Sequence, residues 1–121
     1  MLARSANQHR GRTTKRARLG QIHDYCLALA RVFQPEKIIL FGSHAYGKPT
    51  QDSDVDLMVI LPFTGNEIAK AAEIRAHFDA PFPLDLLVRK PRFIAERLRE
   101  RDMFIELVMN RGVILYEGQH A

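Results

Sequence analysis

Two aspartates one residue apart, Asp54 and Asp56, stand at the head of an apolar run, Leu57 to Leu61. Ten residues separate Asp54 from Gly42-Ser43, which stands directly behind a second apolar run, Ile38-Ile39-Leu40-Phe41. This order predicts a strand, a tight turn, a short connector and another strand. Side chains alternate along a strand, so Asp54 and Asp56 share one face while Val55 and Leu57 take the other. Two carboxylates about 7 Å apart on one face repel each other unless a cation lies between them. Hard oxygen ligands at that spacing suit Mg²⁺ or Mn²⁺. Gly42 lets the backbone approach a ligand closely, and free amides with the Ser43 hydroxyl can cradle a phosphate. A phosphate cradle beside a paired-carboxylate metal site is equipment for transferring a phosphorus-containing group.

The elements that must position these residues can be read on either side. Leu19, Ile22, Cys26, Leu29, Ala30 and Phe33 recur at helical spacing and predict one apolar helix face, ended at Gln34-Pro35. Lys37 to Phe41 reads as a buried central strand and Ser43 to Tyr46 as a short helical turn, followed by a polar loop through Ser53. After the strand Val55 to Leu61, Gly65 to Phe78 reads as a helix with Ile68, Ala71, Ala72, Ile74, Ala76 and Phe78 available for its buried side. Phe82 to Val88 is a third strand interrupted by one acid, Asp85; a carboxylate buried there would need a partner or a cation, whereas one at a sheet edge would face water. Pro91 to Asn110 is helical, with apolar faces at Phe93, Ile94 and Leu98 and at Met103, Phe104, Leu107 and Val108, and with a break expected in the charged Glu96–Asp102 stretch. Val113 to Tyr116 is a short last strand.

Gly42-Ser43, ten residues and Asp54-x-Asp56 resemble the signature of the DNA polymerase beta nucleotidyltransferase superfamily. The fuller pattern, Gly42-Ser43-x-Ala45-x-Gly47 with Ser53-Asp54-x-Asp56-Leu57, is similar to its minimal-nucleotidyltransferase (MNT) branch. The resemblance implies a single-domain α/β fold with a mixed sheet, like the polymerase beta palm, over residues 19–117. It implies that Asp54, Asp56 and Asp85 hold Mg²⁺ (or Mn²⁺) and carry catalysis, and that Gly42 and Ser43 bind the phosphates of ATP. It also implies the reaction: transfer of AMP to a hydroxyl, a tyrosine of a HEPN-domain ribonuclease toxin, which neutralises that toxin as its antitoxin. One departure stands out. Many relatives carry arginines in Gly-Ser-Arg-Ala-Arg-Gly where this chain has His44 and Tyr46, so phosphate or partner contacts weaken there.

Composition bounds the rest. The chain has 121 residues, enough for one domain with a small core. Its net charge of +4 belongs to one end: residues 1–18 hold six of the 18 basic residues and no acid, leaving 12 basic against 14 acidic side chains. That end reads as a disordered basic arm, either solvated or in contact with nucleic acid. No apolar run approaches the roughly 20 residues that span a bilayer. The single cysteine, Cys26, rules out an internal disulfide and reads as a small core residue, in keeping with a cytoplasmic protein. The five histidines show no zinc spacing. Two other classes stay open beside the enzyme: a non-catalytic module that masks a partner protein, and nucleic-acid binding through the arm.

Overall fold

The computed structural model describes residues 15–119. The order of elements is α1 (Lys15–Phe33), β1 (Lys37–Phe41), α2 (Ser43–Tyr46), β2 (Val55–Ile60), α3 (Glu67–His77), β3 (Leu84–Arg89), α4 (Pro91–Arg99), α5 (Met103–Arg111) and β4 (Val113–Glu117). The strands form one mixed sheet in the order β3-β2-β1-β4. β1 lies antiparallel to both β2 and β4, while β2 and β3 run parallel. The parallel pair needs a crossover, and α3 supplies it. This is the expected α/β architecture with its mixed sheet.

Each sheet face has its own core. Ile38, Leu40, Val55, Leu57, Val59, Leu86 and Val88 turn toward α1 and α3 and pack on Ile22, Tyr25, Cys26, Leu29 and Ile74. Ile39, Phe41, Met58 and Ile60 turn the other way and pack on Ile94 of α4 and on Ile105 and Val108 of α5. The alternation in β1 and β2 follows from the two-residue period of a strand with apolar residues on both sides. Cys26 is fully buried, and burial pushes its thiol up to about 12, so it packs and does not react.

Helix ends follow local chemistry. Pro35 keeps Gln34 out of helical geometry; Gln34 takes a φ of 50° and its N–H donates to the Ala30 carbonyl at 2.9 Å. Asn66 caps α3 by accepting from the Ala69 N–H at 2.8 Å. The expected break in the charged stretch falls at Glu100–Asp102, where Arg101 has a φ of 61°. Asp102 then caps α5, accepting from the Ile105 N–H at 3.0 Å and from Arg97 Nε at 2.9 Å. Part of that charge run thus joins two helices.

Among the described residues β3 and β4 are the edge strands, and β3 protects its own edge. Pro83 O accepts from Val55 N–H and Arg89 O from Leu61 N–H, so residues 83, 85, 87 and 89 address β2. Leu84, Leu86 and Val88 therefore turn their backbone groups outward. Arg75 donates to Leu84 O at 2.7 Å and Arg89 to Val88 O at 2.8 Å. Guanidinium groups on edge carbonyls discourage another strand from pairing there.

Several sequence expectations are corrected. Lys15–Arg18, assigned to the basic arm, belong to α1; residues 1–14 of that arm lie outside the described residues. Leu19 is 42% exposed because Tyr25 takes the inward position beside Ile22 and Cys26. Ile68 is 83% exposed, and of its helix only Ile74 is fully buried, because α3 touches the sheet mainly at β3. Met103, Phe104 and Leu107 are exposed, since α5 turns Ile105 and Val108 to the core. Among the described residues no helix is long and apolar enough to cross a membrane.

Candidate active site

The motif residues meet where β1 ends and β2 begins. In the antiparallel register Phe41 pairs with Asp56, so Gly42 arrives beside the Asp56 side chain. Gly42 has a φ of 76°, and a Cβ built on it would fall on the Asp56 carboxylate. Only glycine satisfies both demands. The Gly42 carbonyl accepts from the N–H groups of Ala45 and Tyr46, each at 3.0 Å, and closes the turn α2. The first amides of that turn, those of Ser43 and His44, have no acceptor within it. Gly47 ends it with its N–H on Ser43 O at 3.0 Å, where any side chain would strike the Ser43 backbone.

The connector braces itself before delivering Asp54. Thr50 N–H donates to Ser53 Oγ at 2.9 Å and Ser53 N–H to Thr50 O at 3.0 Å. His44 Nδ1 lies 3.1 Å from the Asp54 carbonyl. A carbonyl only accepts, so Nδ1 carries the proton. Burial holds the His44 pKa below its ordinary value, and Arg18 nearby lowers it further, against the opposing effect of the Asp54 bond. His44 is therefore a neutral tether between α2 and the connector. Tyr46 packs into the second core, and the Arg111 guanidinium stacks over its ring at 5.4 Å. An arginine thus does reach this turn, carried by α5.

The third acid comes from the crossover. Asp56 and Asp85 are register partners in the parallel pair of β2 and β3, so their carboxyls stand side by side on one face. Partial burial, then the charges of Asp85 and Asp54, push the Asp56 carboxyl up to about 6. Asp85 itself is exposed on the edge strand, the second of the two placements open to it in the sequence, and Asp54 is exposed at the rim. Asp56 and Asp85 are thus brought together with Asp54 close enough to be felt. Among the described residues no three His, Cys, Asp or Glu side chains are gathered into a finished cation cage. The donor set nevertheless fits a hard divalent cation. All donors are carboxylate oxygens, and the reluctance of Asp56 to ionise marks a spot that lacks countercharge.

The family profile of the nucleotidyltransferase domain matches residues 22–115. The chain belongs to the nucleotidyltransferase domain family. The matched span runs from the buried part of α1 to β4 and includes every motif residue named above. No curated protein matches the chain. Among solved structures, a protein of Sulfolobus solfataricus described as a nucleotidyltransferase is similar, with a TM-score of 0.62 and 17% identity over 89% of this chain and 87% of its own. A toxin–antitoxin structure with AMP-PNP is similar with a TM-score of 0.50 and 24% identity, over 80% of this chain and 74% of its own. At these identities the likeness is one of fold. As a nucleotidyltransferase, the chain carries two features that its sequence did not reveal: the stack of Arg111 on Tyr46 and the tether from His44 to Asp54. Both join residues through the fold, and the first has no local signal at all.

Proposed function

We propose that this nucleotidyltransferase transfers AMP from ATP to a hydroxyl group of a partner protein and thereby neutralises it, as the antitoxin of a toxin–antitoxin pair. The observation that carries the reading is the register-paired Asp56 and Asp85 against Gly42, with Asp54 close enough to act on Asp56. Family membership supports nucleotidyl transfer. The resemblance of the motif to MNT antitoxins, and the likeness to a toxin–antitoxin structure with AMP-PNP, support the donor and the setting. The partner on this reading is a HEPN-domain toxin, and the acceptor is a tyrosine.

Asp54, Asp56 and Asp85 would hold Mg²⁺, which when bound neutralises charge on the triphosphate and on the attacking and leaving oxygens. Gly42 and Ser43 bind the β- and γ-phosphates through backbone amides and the Ser43 hydroxyl. His44 fixes the connector so that Asp54 faces the triphosphate. The acceptor oxygen attacks the α-phosphorus, a new O–P bond forms, the bond to the bridging oxygen breaks, and pyrophosphate leaves with the electron pair. Asp85, exposed on the edge strand, takes the acceptor proton. On this reading the partner supplies most of the surface that seats the acceptor. Catalysis here is positioning and charge stabilisation.

The experiment is transfer of label from ATP, labelled at the α-phosphate, to the product of the adjacent gene with Mg²⁺ present. Label on a tyrosine is the expected result. Tight complex formation without label from any of the four nucleotides would favour masking of the partner instead.

A further inference from the structure

Nine large hydrophobic side chains are exposed among the described residues, and five of them fall within residues 103–114: Met103, Phe104, Leu107, Val113 and Ile114. The other four are spread over α1 and α3. Single exposed hydrophobics are ordinary on a surface; a cluster from one helix and the strand that follows it marks a contact face. Met103 and Leu107 stand four residues apart on α5 and share one side of it, with Phe104 beside them. Ile114 is in register with Ile39, so it lies on the sheet face that α5 covers. The edge of β3 is guarded by guanidinium groups, whereas the start of β4 is apolar. The ion pair of β4, Glu117 with Lys37 at 3.9 Å, stands at its other end.

The position of the cluster says what covers it. Asp85, Asp56 and Phe41 are consecutive register partners across β3, β2 and β1 and stand in one row on that face. Phe104 continues the row: its ring meets that of Phe41 edge to face, with centroids 5.7 Å apart. Neighbouring strands lie about 4.8 Å apart, so the cluster begins roughly 10 Å from the Asp56 carboxylate. At the end of α5, Arg111 reaches over Tyr46, the last residue of the turn that Gly42 opens. A protein seated on this cluster therefore brings its own side chains to the acids. Charge points the same way. Glu106, the one acid of α5, is bound to Arg101 at 2.9 Å, while Arg111 has no carboxylate partner among the described residues. Two copies of this chain meeting through the same face would add cation to cation; a partner carboxylate would meet it.

We propose that α5 and the start of β4 form the docking surface for the protein that bears the acceptor hydroxyl, received through an apolar face with a carboxylate placed to meet Arg111. The inference rests on the transfer reaction proposed above and adds where the acceptor protein sits.

The test uses the full chain with the product of the adjacent gene. Complex formation is measured by calorimetry without nucleotide, and transfer by label from ATP labelled at the α-phosphate. Met103→Glu/Leu107→Glu lowers affinity for the partner roughly tenfold to a hundredfold and raises the KM for the partner by a similar factor, with the KM for ATP unchanged. Arg111→Gln weakens binding less and flattens its dependence on salt. Ile68→Glu, on the exposed side of α3, leaves the affinity and both KM values as in wild type. Unchanged affinity in the double variant overturns the surface even where label still moves. Affinity lost in the double variant, with no label from wild type, upholds the surface and faults the transfer instead. No binding of the partner by wild type, or a dimer of the chain alone that the double variant dissociates, overturns the proposal. Should the double variant melt early, Met103→Glu, at a side chain 84% exposed, decides in the same way.

Discussion

The two faces of the sheet differ in what they do with the same strands. Toward α1 and α3, β2 presents Val55, Leu57 and Val59, all fully buried, to a core that runs on through Ile22, Leu29 and Ile74. Toward α4 and α5, the same strand presents Asp56, Met58 and Ile60; the last two are buried, and the first stands among carboxylates. One face supports the fold along its whole length. The other supports it along most of its length and gives up its end to chemistry. Because the side-chain period is two, a single strand serves both, and the aspartates are held by neighbours whose burial is complete.

Truncating the supporting face should give the largest loss of stability. Leu57→Ala costs about 2–5 kcal/mol, the range for buried leucine truncations, with little change in the KM for ATP. Met58→Ala, on the other face, costs a similar amount and also lowers kcat, because Met58 underlies Asp56. Denaturant melts beside steady-state kinetics separate the two, and equal kinetic effects would remove the distinction between the faces. Gly42→Ala comes next: its Cβ meets the Asp56 carboxylate and its φ is left-handed, so roughly 1–3 kcal/mol of backbone strain joins a displaced Asp56 carboxylate. A variant with unchanged melting and activity would contradict the close approach.

Asp56→Asn should shift stability the other way. The Asp56 pKa is raised in the folded chain from an ordinary 3.8 to about 6, so its ionised form disfavours folding above pH 6 and has no such effect below about pH 4. Without metal, the variant therefore melts higher than wild type at pH 7.5, and the gap closes as the pH falls through the 6-to-4 window. On the proposed function, this cost in stability is kept because catalysis needs the charge. The smallest effect concerns the cation. Mg²⁺ raises the melting temperature of wild type at pH 7.5 more than at pH 5, where protonated Asp56 is a poorer ligand. A shift independent of pH would argue that Asp56 is not a ligand.

Much of this was legible in the chain. The apolar runs around Gly42-Ser43 and Asp54-x-Asp56 placed β1, α2 and β2 almost to the residue, because strand period, proline and glycine are local signals. Asp85 was found as an acid interrupting an apolar run, with burial or an exposed edge left open, since edge or centre is decided by strand order. The reading failed where a helix had more apolar residues than one face can bury: Leu19, Ile68 and Met103 are exposed because only packing chooses among them. The stack of Arg111 on Tyr46, 65 residues apart, depends on tertiary contact and leaves no trace in spacing.

The central claim is that the carboxylate end of the second face performs nucleotidyl transfer. The most direct test compares wild type with Asp54→Asn/Asp56→Asn in transfer of α-phosphate label from ATP to the partner protein, with folding checked by melting. The account predicts a fall of about a thousandfold or more, equivalent to about 4 kcal/mol in the barrier, in a variant that still folds and still binds the partner. A folded double variant that labels the partner at the wild-type rate would contradict it.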